Sequence, residues 1–357
     1  MTTTLEPAIP GVDLAPDAHL VLPSGDLSDD GYRTRWLEER QKGLGGSDIA
    51  RLLGFIPGKG PWHVWLDKHG RAGSDYDTEA MEFGREMEEP IARVFSRRTG
   101  IPILTPPGMY ANTARPWMRA NIDRLALDAD TREVLGPVEV KNRTEWALAE
   151  WEEEEGPEAP SIQNLWYQIT GGWQRGWVAA CVGGNKLRWH EVEHRDDLAQ
   201  HLIEWTEDWW TRHIVEGEEP PADGLPGTKE LLAHLWDVRE EAVAEVAVEQ
   251  ARNLRRRHQA LTDAIGRAGR RLSEVENQMR LIAREHEVVK TPGKKVAWTN
   301  KQNSTFSPSR FRAAEPELAE KYTVMVPAID TKALAKDHPA TYRKFRARVL
   351  RVPAKGV

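Results

Sequence analysis

The spacing of apolar residues changes character several times along this chain, and each change marks an element. Residues 1–30 show no apolar period. They are rich in Pro, Asp and Thr, hold six acids and no Lys or Arg, and predict a disordered acidic tail. A helical pattern begins at Gly31 and runs from Tyr32 to Arg40, followed by the glycine-rich turn Gly43-Leu44-Gly45-Gly46. Ser47-Asp48 caps a second helix that stops at Gly54, and residues 62–70 predict a third. Between 78 and 98 the positions Met87, Ile91, Val94 and Phe95 follow one helical stripe, with Pro90 inside to kink it and Gly100 to end it. Residues 101–110, 118–127 and 138–141 read as strands, 161–173 as helix and 177–182 as strand. Gly183-Gly184-Asn185 is a hairpin turn into 187–192, and 198–214 is helical. This order predicts an α/β domain over 31–216, with a central mixed sheet flanked by helices.

Beyond it the pattern shifts. Residues 217–227 are acidic and rich in Pro and Gly, a linker. From 228 to 290 the chain is strongly helical. Leu254, His258, Leu261, Ile265, Ala268, Leu272, Val275, Met279 and Ile282 step by 3 and 4, a heptad seam. Upstream, Leu232, Trp236, Val243 and Val246 follow another phase, so a helical hairpin or a bent long helix is expected. The seam suits packing on itself or on the α/β core, with a dimerisation coiled coil as the alternative. Pro292-Gly293 ends it, and the last segment predicts a hairpin over 296–306, then short helices over 309–322 and 332–345.

Composition narrows the class. No apolar run approaches the roughly 18 residues that span a bilayer, and no secretory leader is recognisable, so a cytoplasmic protein is expected. The single Cys181 excludes a disulfide framework and a cysteine-ligated zinc or iron–sulfur site. The net charge of −7 is unevenly spread: residues 291–357 hold 14 Lys and Arg against 5 Asp and Glu, a balance of +9 that leaves −16 elsewhere. A basic terminal segment on an acidic body suits a localised polyanion contact. There Lys294, Lys295, Trp298, Lys301, Phe306, Arg310 and Arg312 mix basic and aromatic groups, as single-stranded DNA or an ordinary exposed hairpin would have them.

The candidate chemistry lies in Glu139-Val140-Lys141. On a strand Glu139 and Lys141 share one face and Val140 packs on the other. An acid and a lysine side by side on a half-buried strand are costly unless something uses them. Asp123 ends another extended run, and two carboxylates with a lysine on adjacent strands suit metal-assisted phosphodiester cleavage. Solvated cross-strand charges are the plainer alternative.

Five pieces in order carry a resemblance: Gly45-Gly46-Ser47-Asp48-Ile49-Ala50, Glu82 to Pro90, Arg119-Ala120-Asn121-Ile122-Asp123, Glu139-Val140-Lys141 and Trp166-Tyr167-Gln168. Over roughly 32–215 the chain resembles the YqaJ-type viral recombinases, relatives of lambda exonuclease within the PD-(D/E)XK nuclease superfamily. The resemblance implies a restriction-endonuclease-like core and a metal-dependent DNA exonuclease of phage-type recombination. It would degrade one strand of linear duplex DNA, 5′→3′, and leave a 3′ single-stranded overhang. It implies Mg²⁺ (or Mn²⁺), two ions per site, held by Glu88, Asp123, Glu139 and the Val140 carbonyl. Lys141 would orient or deprotonate the attacking water, or act by charge alone. Gln168 would help position that lysine or the water. Arg40 and Ser47 resemble a pair that binds the terminal 5′-phosphate, with Arg35 as the substitute for Arg40. Asn121 stands where lambda exonuclease has a serine, which leaves that pocket less firmly matched. The implied partners are double-stranded DNA ends and a single-strand annealing recombinase protein, with a trimeric homo-oligomer as the family's arrangement, in a phage or prophage setting. An endonuclease on the same fold and a non-catalytic DNA-binding protein are the alternatives.

Overall fold

The computed structural model describes residues 14–71, 78–154, 156–236, 243–293, 295–302, 306–324, 328–345, 350 and 352. It divides into two units, Met1–Leu235 and Trp236–Val357.

The first unit is built on five strands in the order β2-β5-β6-β7-β8. These are β2 (Ile103–Leu104), β5 (Arg124–Leu127), β6 (Val134–Arg143), β7 (Arg175–Val182) and β8 (Lys186–Glu193). β6 and β7 run parallel and the other pairs antiparallel, so the sheet is mixed as expected. The parallel pair needs a crossover, and α6 (Glu158–Gly171) supplies it. A second sheet joins β1 (Ala18–Pro23), β3 (Gly108–Asn112) and β4 (Arg119–Asn121) in the order β1-β3-β4. Helices α1 (Asp30–Gln41), α2 (Gly46–Leu52), α3 (Pro61–Lys68), α4 (Glu79–Thr99), the short α5 (Leu148–Glu152) and α7 (Asp196–Trp210) complete the core elements. This is an α/β core with a central mixed sheet flanked by helices.

Two expected strands are each divided between the sheets. Residues 101–110 part into β2 and β3 at Pro106-Pro107, where two missing N–H groups stop the ladder. Residues 118–127 part into β4 and β5 at Ile122-Asp123. The acidic tail expected over 1–30 gives way to the strand β1, which pairs with β3 from Ala18↔Asn112 onward; residues 1–13 lie outside the described residues. Helix α4 runs through Pro90 to a left-handed Gly100, where φ is 78°. It buries Ile91 and Phe95 in a cluster with Val138, Val140 and Trp177, each worth roughly 1.5–3 kcal/mol.

The predicted linker over 217–227 and the start of the arm belong to this unit. Helix α8 (Pro226–His234) follows, Leu231, Leu232 and Leu235 pack against the main core, and Thr228 donates to Asp223. Apolar residues at this spacing have a buried face to fill, which the Pro and Gly content concealed.

In the second unit the arm is one helix, α9 (Val248–Ala283), 36 residues long. Its upstream junction at 237–242 lies outside the described residues. The hairpin forms earlier than expected: β9 (Val288–Lys290) pairs with β10 (Val296–Thr299) across Pro292-Gly293, and Lys294 is outside the described residues. The two short helices become four, α10 (Pro308–Ala314), α11 (Pro316–Lys321), α12 (Thr331–Asp337) and α13 (Pro339–Lys344). Pro316 and Pro339 each start a new helix because proline cannot continue the old one but suits its first turn. Among the described residues no helix is long and apolar enough to cross a membrane.

Candidate active site

The sheet puts its charges on one face of β6. Glu139, Lys141 and Arg143 alternate along the strand and share a side, while Val140 is buried in the cluster beneath α4. The Lys141 ammonium is paired with Glu139 Oε1, and Glu139 is only 2 % exposed. Its other oxygen, Oε2, is buried without a hydrogen-bond partner. Asp123 occupies the break between β4 and β5, where its Oδ2 accepts the Val140 N–H at 2.7 Å. β5 pairs with β6 only as far as Arg124↔Val138, so beyond that point the edge of β6 is open to Asp123. A strand residue turns its N–H and C=O to the same side, which aims the Val140 carbonyl toward Asp123 as well.

Glu88 comes in from α4, one turn before Ile91. Burial and then the Asp123 charge push its carboxyl up to about 8, against the pull of Arg124 and Lys141. Burial and Asp123 likewise raise Glu139 to about 7. The three acids therefore feel one another, as carboxylates sharing one site do. The pKa of Lys141 is raised above its ordinary value, not lowered. Burial lowers it, but Glu139 and Asp123 together outweigh burial and hold the ammonium charged. In this arrangement Lys141 offers positive charge rather than a free base.

These donors suit a hard divalent cation. The orphaned Glu139 Oε2 and the mutual repulsion of the acids are what such an ion relieves. Among the described residues no three acids converge as a ready-made cage. Mg²⁺ asks for less than that: one or two carboxylates, with water and phosphate oxygens completing its octahedron.

A second feature lies beside the first. Arg40, Ser47 and Asn121, grouped by the family resemblance as a 5′-phosphate pocket, line one cavity of about 100 Å³ with Trp36, Arg119 and Tyr167. Its construction is local. Leu44 forms a parallel bridge to Met118, and the Trp166 indole donates to both Leu44 O (3.0 Å) and Arg119 O (3.1 Å). This fastens the start of α2 to β4. Gly46 must be glycine, because a Cβ there would lie 2.9 Å from the Tyr167 ring and from Gln163 O. Ser47 is not the cap it was expected to be. Gly45 is, and the Asp48 carboxylate reaches back to accept the Gly45 N–H at 3.0 Å, leaving the Ser47 side chain at the cavity.

Asp48 is buried and meets the Lys68 ammonium at 2.6 Å, while Lys68 also donates to Arg40 O at 2.9 Å. One buried lysine thus ties α1, α2 and α3 together beneath the cavity. Burial pushes the Asp48 carboxyl up, but Lys68, Arg40 and Arg51 outweigh it and hold it down at about 2. The Arg40 guanidinium stacks on Trp36 at 4.6 Å, whereas Arg35 lies over the Tyr32 ring and does not line the cavity. Arg119, 7 % exposed, pairs with Glu39 at 3.5 Å and keeps a buried Nε without a partner. The sequence held a signal for Arg119: it lies two residues before Asn121 on the same strand and so shares its face.

Tyr167 connects the two features. Burial pushes its hydroxyl well above the ordinary range; Glu139 and Asp123 on one side add to this and Arg40 on the other opposes it. Gln163 sits one turn earlier on the same helix face, also buried. Gln168 does not join them. Its Nε2 donates to Asn164 Oδ1 (2.9 Å) and Val192 O (2.8 Å), and Asn164 in turn donates to Pro137 O and Trp177 O. Gln168 therefore braces α6 against β6, β7 and β8 rather than reaching Lys141.

Residues 35–171 match the YqaJ-like viral recombinase domain family. This stretch is similar to that family's domain. The match takes in both features just described and stops before β7 and β8, which complete the sheet. A relative in Bacillus subtilis (strain 168), the uncharacterized protein YqaJ, is 27 % identical over 292 residues, 81 % of this chain and 90 % of that protein. Among solved structures, an alkaline exonuclease (LHK-Exo) from Laribacter hongkongensis is similar with a TM-score of 0.43 and 15 % identity, covering 51 % of this chain and 93 % of its own. Its complex with dAMP gives a TM-score of 0.38 at 15 % identity over 52 % of this chain and all of that one, 100 %. The YqaJ-like domain thus owes its carboxylates to β6, α4 and the β4–β5 break, and its cationic cavity to α1, α2 and β4.

Proposed function

We propose that the YqaJ-like domain is a metal-dependent deoxyribonuclease acting as an exonuclease in phage-type recombination. It takes a linear duplex end and hydrolyses one strand 5′→3′. A 3′ single-stranded overhang remains for an annealing partner. The observation that carries this reading is the pairing of two features: a buried acid–lysine face with an unsatisfied carboxylate oxygen, and a cationic cavity beside it, connected through Tyr167.

Asp123, Glu139 and the Val140 carbonyl, with Glu88 facing them, are the groups that would hold Mg²⁺ or Mn²⁺, two ions per site. Such ions supply Lewis acidity and a bound water of lowered pKa. The chain's own groups do the rest. The Val140 N–H fixes Asp123, so its free oxygen is held in place without reorganisation. Lys141, kept charged by its acidic neighbours, offsets negative charge building on the scissile phosphate and orients the attacking water. Arg40 and Arg119 present guanidinium groups to a terminal phosphate, with Ser47 and Asn121 as further donors. Stacking on Trp36 fixes the Arg40 plane, which favours a bidentate grip on phosphate oxygens.

The test is digestion of a linear duplex with one labelled, 5′-phosphorylated end, in Mg²⁺ and in EDTA, beside a supercoiled circle. Metal-dependent loss of the linear substrate alone, abolished by Lys141→Ala, is the expected outcome. Cutting of the circle would move the reading to an endonuclease. DNA bound without any cleavage would make it a binding protein.

A further inference from the structure

The heptad seam of α9 is uncovered in the single chain. Leu254, Leu261, Ile265, Leu272, Val275 and Ile282 are between 51 % and 73 % exposed. A helix of 36 residues is about 54 Å long, and a lone helix with a bare apolar stripe gains little to hold it together in water. No other helix of its unit among the described residues could cover it: α10 to α13 are 6 or 7 residues each. A seam of strict 3.5-residue period asks for a partner with the same period and length. Among the described residues, the helix that meets this demand is α9 itself.

We propose that α9 pairs with α9 of a second copy as an antiparallel two-stranded coiled coil, centred between Gly266 and Arg267. Size selects this orientation. With that centre Ile265 faces Ala268 of the second copy, and Ala251 faces Ile282. Small positions then meet large ones, as a close-packed seam requires. In a parallel pair Ala251 would face Ala251, Ala268 would face Ala268, and His258 would face itself. Arginines lie in both halves, Arg252, Arg255, Arg256 and Arg257 in the first and Arg267, Arg270, Arg271 and Arg280 in the second, so charge distinguishes the orientations by which arginine Glu276 meets. An antiparallel pair sets Arg255 against Glu276 of the second copy at both ends. A parallel pair would instead set Arg271 against Glu276 of the second copy and leave Arg255 beside Gln250. The same register overlaps nearly the whole helix, so size and length agree on one arrangement. This inference is independent of the cleavage reading.

Light scattering on the full chain at micromolar concentration measures the mass. The expected result is an oligomer of even order that loses half its mass in Leu261→Glu. Arg255→Glu alone should weaken association about tenfold or more, and adding Glu276→Arg should restore it. In a parallel pair the second exchange would set the introduced guanidinium against Arg271 of the other copy and restore nothing. Both charge variants alter half-buried polar positions outside the apolar seam, so they keep the test valid if Leu261→Glu unfolds. A spin label at Gln250→Cys in a Cys181→Ala background should report a separation of about 50 Å between copies, from the helix rise. A monomeric wild type, a mass indifferent to Leu261→Glu, or a label distance near 10 Å would each overturn the proposal.

Discussion

The β6 face of the YqaJ-like domain and the α9 seam break the same rule in opposite directions. In the first, a charged group lies where an apolar one belongs: Glu139 is at least nine-tenths buried, as are Asp48 and Lys68 beneath the neighbouring cavity. In the second, six large apolar side chains lie in water. Each departure costs stability in the isolated chain. On the proposed reading a divalent cation and a phosphate would neutralise the first, and a second copy of the helix would cover the second. Departures of this kind are where local rules give way to function.

The comparison can be broken most decisively at Glu139. If its burial serves cleavage, Glu139→Gln keeps the shape, removes the charge and lowers kcat by at least about 10³-fold, while the thermal midpoint of the metal-free protein stays level or rises. A loss on the order of 10³ corresponds to about 4 kcal/mol of transition-state stabilisation. If instead the midpoint falls by about ten degrees and kcat per folded molecule barely changes, Glu139 is structural and the site must be sought elsewhere.

Lys68 tests the other buried charge, which has a structural task. Lys68→Met leaves Asp48 buried without its ammonium and removes the donor to Arg40 O. Breaking such a pair from one side costs about 3–5 kcal/mol. Urea unfolding should show that loss, whereas Lys68→Met with Asp48→Leu should recover most of it. The acid limb sharpens the point. Asp48 is held near 2 against an ordinary 3.8. A carboxyl with a depressed folded pKa stabilises fully above its unfolded pKa and loses that contribution as pH falls through the folded one. About 2 kcal/mol should therefore disappear between about pH 4 and pH 2. That decline should be absent in the double variant.

Gln168 separates what the sequence revealed from what it hid. The alternation of β6 was legible because a strand has two faces and only one can hold charges. α6 was not, because nearly every residue from Pro160 to Gly171 is buried. A helix covered on all sides carries no polar stripe to show which face meets the site. Gln168 and Tyr167 are neighbours in sequence, yet one braces the sheet and the other meets the carboxylates. The break at Asp123 was hidden for a related reason. Both halves of 118–127 have strand-like sequences, and only the tertiary pairing reveals that they serve different sheets. The seam of α9 was plain in the sequence, but its occupant was not, since period alone cannot say whether a face packs within the chain or between copies. Gln168→Leu should cost about 1–3 kcal/mol by stranding Asn164 Oδ1 and Val192 O. It should leave kcat within about threefold at a temperature where the variant is folded. A loss beyond a hundredfold there would return Gln168 to the site.

The smallest effect belongs to the cavity of Arg40. Its guanidinium is stacked on Trp36, and Arg119 stands beside it with a free Nε, so one cation can go without emptying the pocket of charge. Arg40→Ala should reduce the preference for a 5′-phosphorylated over a 5′-hydroxyl end by about tenfold, or about 1.4 kcal/mol. Cleavage of the 5′-hydroxyl substrate should be nearly unchanged. Arg40→Lys should restore little of the preference, because an ammonium keeps the charge and loses both the stacking and the planar fork. Competition between the two ends in one tube, followed over the first turnovers, reads that ratio directly. An equal fall on both substrates would mean that Arg40 serves the carboxylate site itself, and the two features joined by Tyr167 would then have to be treated as one.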